Sequence, residues 1–137
     1  MADVKAAAVL AGNIGVSNTP RGVVLGATAE YTVPSSGGPG IGDKVEMVPV
    51  PKGARILSVV TSGPAGTATM TATVGDDDDP DRFTKTITAS AAFTKGIDNE
   101  VGVGFKFTAD DTIDLTFLVA APTATHVYRV AVTYFMD

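Results

Sequence analysis

The chain has no cysteine, no tryptophan and a single histidine, His126. Without cysteine there are no disulfides, thiolate zinc sites, Fe–S clusters or thiol nucleophiles. One histidine makes no His-based metal cluster, and a His-dependent triad would rest on His126 alone. Charge is scarce as well. Asp, Glu, Lys and Arg make up 18% of the residues, against roughly a quarter in typical soluble domains. The balance is acidic, with a formal net charge of −5. An acidic chain binds polyanions poorly, so nucleic acid is not an expected partner. No apolar run approaches the roughly 18 residues of a membrane span, so no membrane partner is expected either. The apolar stretch in Met1–Gly12 carries mixed charge and lies at the lower limit for a signal-peptide core, so secretion is not expected. Unbroken helical stretches are missing too, because 15 glycines and 8 prolines are spread along the chain.

What is present is 137 residues, 45% of them apolar. That is enough for one domain with a real core. Thr and Val dominate the segments between the breakers, and β-branched side chains favour a pleated surface. Residues 1–21 read as an N-terminal arm. Ala6–Ala11 has room for one helical turn before Gly12 and Gly15, and Asn18-Thr19-Pro20 is a loop signal.

Residues 22–137 read as a single β-domain. The first strand is expected over Val23–Val33. In Lys44–Val50, Val45 and Met47 face one way and Glu46 and Val48 the other, with Pro49 and Pro51 marking an edge or bend. Ala54–Thr61 is apolar enough to be buried on both faces. Thr67–Val74 alternates strictly. Arg82–Ala89 follows, with Phe83 and Ile87 as core anchors. Gly102–Thr108 sets Val103, Phe105 and Phe107 against Gly104 and Lys106. Thr112–Val119 puts Ile113, Leu115, Phe117 and Val119 on one face. His126–Met136 closes the chain, with Tyr128, Val130, Val132, Tyr134 and Met136 aligned. About eight strands, separated by turns at regular spacing, predict an all-β antiparallel sandwich, jelly-roll-like or immunoglobulin-like.

Candidate sites are few. Asp76–Asp79 with Asp81 offers hard oxygen ligands, but without the glycine and terminal glutamate of an EF-hand. The plainer reading is an exposed, solvated loop, or a contact with a basic partner. Asp110-Asp111-Thr112 reads as a turn opening an edge strand, with Asp capping backbone N–H groups. His126 has no Gly-x-Ser-x-Gly elbow to serve and reads as a partly exposed strand-end residue. Val101-Gly-Val-Gly-Phe105 sits mid-strand and opens no helix, so it is no dinucleotide fingerprint, and Gly37-Gly38-Pro39-Gly40 is no P-loop. Tyr31, Tyr128 and Tyr134 would be a poor sugar platform without tryptophan, and two of them align on a core face. No catalytic residue, metal ligand or cofactor is assigned. The arm is the best candidate. Val9, Leu10, Ile14 and Val16 are apolar residues on a segment unable to fold alone, and are expected to make partner or assembly contacts.

Three stretches carry a family resemblance: Val48-Pro-Val-Pro-Lys-Gly-Ala-Arg-Ile-Leu57, Val74-Gly-Asp-Asp-Asp-Asp-Pro-Asp-Arg-Phe83, and Phe107-Thr-Ala-Asp-Asp-Thr-Ile-Asp-Leu-Thr116, with the closing Tyr134-Phe-Met-Asp137. Tyr31-Thr-Val33 and Gly42-Asp43 add to them. Together they resemble small virion structural proteins of tailed bacteriophages, over most of residues 22–137. The resemblance implies a capsid decoration, or cement, protein. Such a protein would be β-rich and often trimeric, and would bind the major capsid protein on the capsid exterior at capsomer junctions. It would be made in the bacterial host cytoplasm and have no enzymatic role. A tail or head-fibre structural protein and a glycan-binding β-sandwich module are the alternatives.

Overall fold

Residues 3–5 and 23–136 are described by a computed structural model, with side chains described for 23–136. Alternating β-branched and apolar residues between glycine and proline breaks give nine strands and no helix among them. The strands are β1 (Asp3–Lys5), β2 (Val24–Thr32), β3 (Lys44–Val50), β4 (Ala54–Gly63), β5 (Thr71–Gly75), β6 (Thr84–Thr88), β7 (Phe93–Lys95), β8 (Asp111–Leu118) and β9 (Val127–Met136).

From β2 onward the pairing follows one rule. β2 pairs β9, β3 pairs β8, β4 pairs β7 and β5 pairs β6, all antiparallel. That is one long hairpin, outermost strand against outermost. It is rolled so that β4 also meets β9 and β5 also meets β8. The result is a jelly roll of two sheets, β2-β9-β4-β7 and β1-β3-β8-β5-β6, in which β1 runs parallel to β3. Of the two sandwich types expected, the strand order selects the jelly roll.

The core lies between the sheets. β9 contributes Tyr128, Val130, Val132 and Tyr134, and β8 contributes Ile113, Leu115 and Phe117, all buried. Phe117 meets Tyr128 edge-on at 4.9 Å between ring centroids. Phe83 and Ile87 are fully buried, as expected. Gly63 leaves room for Tyr128, because a Cβ there would run into its ring.

Four expectations need correction. Ala54–Thr61 is not buried on both faces. A bulge between Ile56 and Ser58 shifts the register, and Leu57 and Val60 emerge 41% and 38% exposed on the outer side. A second bulge, between Glu46 and Val48, breaks the alternation of β3, so Met47 and Val48 are both fully buried. Gly102–Thr108 is not a strand. Gly102 N–H donates to the Asn99 carbonyl and Phe105 N–H to that of Gly102, which curls the chain into turns. Gly104 takes φ of +78°, open to glycine without strain. Val103 is therefore 62% exposed, while Phe107 still reaches the core. The Phe105 carbonyl instead accepts from Ile56 N–H, and Phe107 N–H donates to the Ala54 carbonyl, continuing the sheet beside β4. Last, Val119 leaves the inward row of β8 because its φ of +72° turns the chain out of the sheet, and it is exposed.

Two smaller differences remain. β5 begins at Thr71, not Thr67. Asp110 and Asp111 do cap backbone N–H groups, those of Lys52 and Thr112, each at 2.7 Å, but the strand they open is central, not an edge.

Phe83 is surrounded by Phe105 and Phe107, each 6.4 Å away between centroids. Phe83→Ala is expected to cost about 3–5 kcal/mol, measured as a loss of unfolding free energy in urea. That is a large share of a typical domain's stability.

Candidate functional site

The residues named for assembly contacts, Val9, Leu10, Ile14 and Val16, lie outside the described residues. The other candidates fall on the two outer faces of the sandwich and at one of its ends.

The acidic loop packs against the sheet containing β3 and β8, and it is more structured than a solvated run. Gly75 is required there, because a Cβ would overlap the Asp79 carbonyl. Asp76 is 2% exposed. Its Oδ1 accepts hydrogen bonds from the N–H groups of Asp78, at 3.1 Å, and Asp79, at 2.9 Å. Its Oδ2 accepts from Arg82 Nε at 2.5 Å. Arg82 lies over the Phe105 ring, 3.8 Å from the centroid. Asn99 Nδ2 donates to the Asp81 carbonyl at 3.0 Å and closes the loop from the other side. The expectation of a fully exposed loop therefore fails at Asp76 and holds for Asp77 and Asp78. Asp81 is raised above its ordinary carboxyl range, mainly by a hydrogen bond with Asp79.

Beneath this loop Lys44 forms an ion pair with Asp77 and lies 3.8 Å from Asp114 Oδ2. Asp114 is 1% exposed. Thr112 Oγ1 donates to its Oδ1 at 2.5 Å, while Oδ2 has no hydrogen-bond partner. Burial pushes the Asp114 carboxyl up to about 8, against the opposing pull of Thr112 and Lys44. Burial also raises Asp111. Lys44, Thr73, Asp77, Asp81, Thr116 and Leu118 line a recess of about 510 Å³ there. Among the described residues no group of three His, Cys, Asp or Glu side chains is arranged to hold a metal ion.

The opposite outer face, on β2, β9 and β4, is built from small side chains in register. Gly26, Thr133 and Ser58 form one row, and Thr28, Ala131 and Val60 the next. They floor a shallow hollow of about 320 Å³. Glu30 and Arg129 pair across the following row at 2.8 Å.

The end of the sandwich carries a third hollow, of about 640 Å³, lined by Ser62, Gly63, Phe93, Thr94, His126 and Arg129 among others. His126 and Ser62 share it, but no Asp or Glu lines it, so a triad would lack its acid. Tyr31, Tyr128 and Tyr134 are all buried and form no open stacking platform.

No protein-family model matches the sequence, and no curated protein matches it. Solved structures do. The chain is similar to a chain of the capsid of Ralstonia phage GP4, with a TM-score of 0.83 and 14% identity over 99% of both chains. A chain of the cyanophage Pam1 capsid asymmetric unit has a TM-score of 0.68 and 20% identity, over 90% of this chain and 91% of that one. A chain of the acidic stable capsid structure of Helicobacter pylori bacteriophage KHP30 has a TM-score of 0.58 and 18% identity, over 85% and 90%. The shared property is the fold, matched over 85–99% of this chain.

Sequence reasoning missed Asp114, Lys44 and Arg82 as an organising group and missed the small-residue face entirely. Asp114 did carry a signal, as a lone charge inside the apolar run Ile113–Phe117.

The Asp114 carboxyl gives a pH dependence with a definite sign. The folded chain holds a proton there up to about pH 8, whereas the unfolded chain releases it near pH 4. Its contribution to stability therefore falls as pH rises from about 4 to about 8 and is flat above that. Asp114→Asn is expected to remove this slope, raising the melting midpoint at pH 9 by about 4 °C or more with little change at pH 4. Thermal melts of both chains across that range check it.

Proposed function

We propose that this protein is a structural component of a tailed-phage virion, and within it a capsid decoration (cement) protein. The observation that carries the reading is the end-to-end fold match to a chain of the Ralstonia phage GP4 capsid. The motif resemblance to phage virion proteins points the same way. Support for a non-enzymatic role comes from the His126 hollow, which lacks a carboxylate. The buried tyrosines weigh against a glycan-binding module.

The mechanism is mechanical. A trimer of the chain sits on the capsid exterior over the joints between major capsid proteins, and opening the shell means losing its contacts too. At about 25 cal/mol per Å² of apolar surface, some 800 Å² of apolar burial per copy gives a gross gain near 20 kcal/mol before the costs of association. Three linked copies add effective concentration. The net charge of −5 suits a protein facing solvent outside packaged DNA. The arm supplies the grip, through Val9, Leu10, Ile14 and Val16.

Two measurements test this. Quantitative mass spectrometry of purified virions is expected to find hundreds of copies, near one per major capsid protein. A dozen or fewer copies assigns the chain to a tail or fibre, and absence from the particle discards the virion reading. Deleting residues 2–18 is expected to leave the sandwich folded, with unchanged circular dichroism, and to abolish particle binding. A truncated chain that still binds at full occupancy removes the arm from the mechanism.

A further inference from the structure

The outer edge of β3 is closed by a strand that the jelly roll does not need. Asp3, Val4 and Lys5 pair in parallel with Lys44, Val45 and Glu46, outside the eight strands that form the long hairpin. The pairing is short. Three residues offer only a few backbone hydrogen bonds, each worth about 1 kcal/mol net, set against the entropy of closing the connecting loop.

The stretch of chain between β1 and β2 is also far longer than the pairing requires. β1 runs in the direction of β3 and ends with Lys5 opposite Glu46. β2 begins at the other end of the sandwich. Val24 pairs Phe135, Phe135 pairs Arg55, and Ala54 follows Val50 across a tight turn. The gap from Lys5 to Val24 is thus about four strand residues plus one sheet spacing, roughly 20 Å. Residues 6–23 join the two ends, about 18 residues that reach some 60 Å when extended. Connections of about 4–6 residues are usual in compact domains. A tether with about three times the required reach can deliver β1 to a neighbouring molecule.

We infer that β1 is an exchange strand, and that in the oligomer Asp3–Lys5 of one copy pairs with β3 of the next. The partner is a second copy of this chain, since the acceptor edge is matched in register by the chain's own residues 3–5. The hydrogen bonds are the same in either arrangement. In a closed ring of copies every β3 edge is filled and none is left open. The inference rests on the oligomeric part of the proposed function and needs no capsid for its test.

The absence of native cysteine makes that test clean. Lys5→Cys and Glu46→Cys are placed on two full-length chains of different tag size, which are co-expressed and mildly oxidised. Strand exchange is expected to give a covalent heterodimer on a non-reducing gel as the main product. The double variant K5C/E46C is expected to form covalent multimers. A control pair, S58C/T133C, on adjacent strands of one domain, is expected to link only within its own chain. Asp3→Cys with Lys44→Cys repeats the test in the same register should Glu46→Cys fail to fold. The inference is overturned if the double variant links only within its own chain, or if neither pair links. Light scattering of the unaltered chain separates the two failures. A trimer without cross-chain links removes only the exchange, whereas a monomer removes the oligomer as well.

Discussion

The placement of β9 between β2 and β4 is the step on which the rest of the structure waits. β2 and β4 do not pair with each other, and each meets β9 over most of its length. Without β9, β2 is cut off from the short β4–β7 pair and the apolar faces are open. The inward row Tyr128, Val130, Val132 and Tyr134 supplies the floor of the core. The pair Glu30–Arg129 shows the distance involved, 99 residues along the chain. The other sheet obeys the same logic, with β8 between β3 and β5. Both central strands come from the last third of the sequence, so loop closure precedes most of the burial that rewards it. Such topologies fold slowly for that reason.

The strands that sequence reading located well are those whose local pattern and tertiary role agree. In Val127–Met136 every second residue from Tyr128 to Tyr134 is a Val or Tyr, and that row lies in the core. Lys44–Val50 has its observed bounds in the sequence reading, yet its facing does not survive the bulge between Glu46 and Val48. An inserted residue moves everything beyond it to the other face. The two-sided burial expected of Ala54–Thr61 fails at Leu57 and Val60, where the register has shifted between Ile56 and Ser58. Gly102–Thr108 fails differently. Its alternation of Val and Phe is genuine, and Phe105 and Phe107 do bond to β4. The turns through Gly102 and Gly104 prevent the first half from joining. The choice between jelly roll and immunoglobulin order was not legible at all, because which strand pairs which is decided between residues far apart in sequence.

The polar chemistry divides along the same line. The run Asp76–Asp81 was visible as a run. That Asp76 turns inward while Asp77 stays out was not, because it follows from Arg82 being held over Phe105. Asp114 alternates with the inward Ile113 and Leu115, which puts it on the face opposite the core. Its burial comes from the acidic loop folding back over that face, with Lys44 bridging Asp77 and Asp114. A carboxyl that is neutral at moderate pH is the physical result of that covering. The small-residue face escaped notice for a simpler reason. Gly26, Thr28, Ser58, Ala131 and Thr133 lie on three strands and form a surface only after β9 is in place.

The handling of strand edges connects fold to assembly. An exposed edge invites pairing with another chain, and folds blunt it with short strands, prolines or coverings. β7 has three residues and β6 five, and the Phe105–Phe107 stretch bonds to β4 where β7 ends. On β3, Lys44–Glu46 is covered by β1, and Pro49 has no N–H to offer. Among the described residues β2 is the exception, with nine residues, no proline and a single charge, Glu30. It borders the flat face floored by Thr28, Ala131 and Val60. Over the described residues, a fold that blunts three of its edges and leaves the fourth open concentrates its capacity for association on one flank.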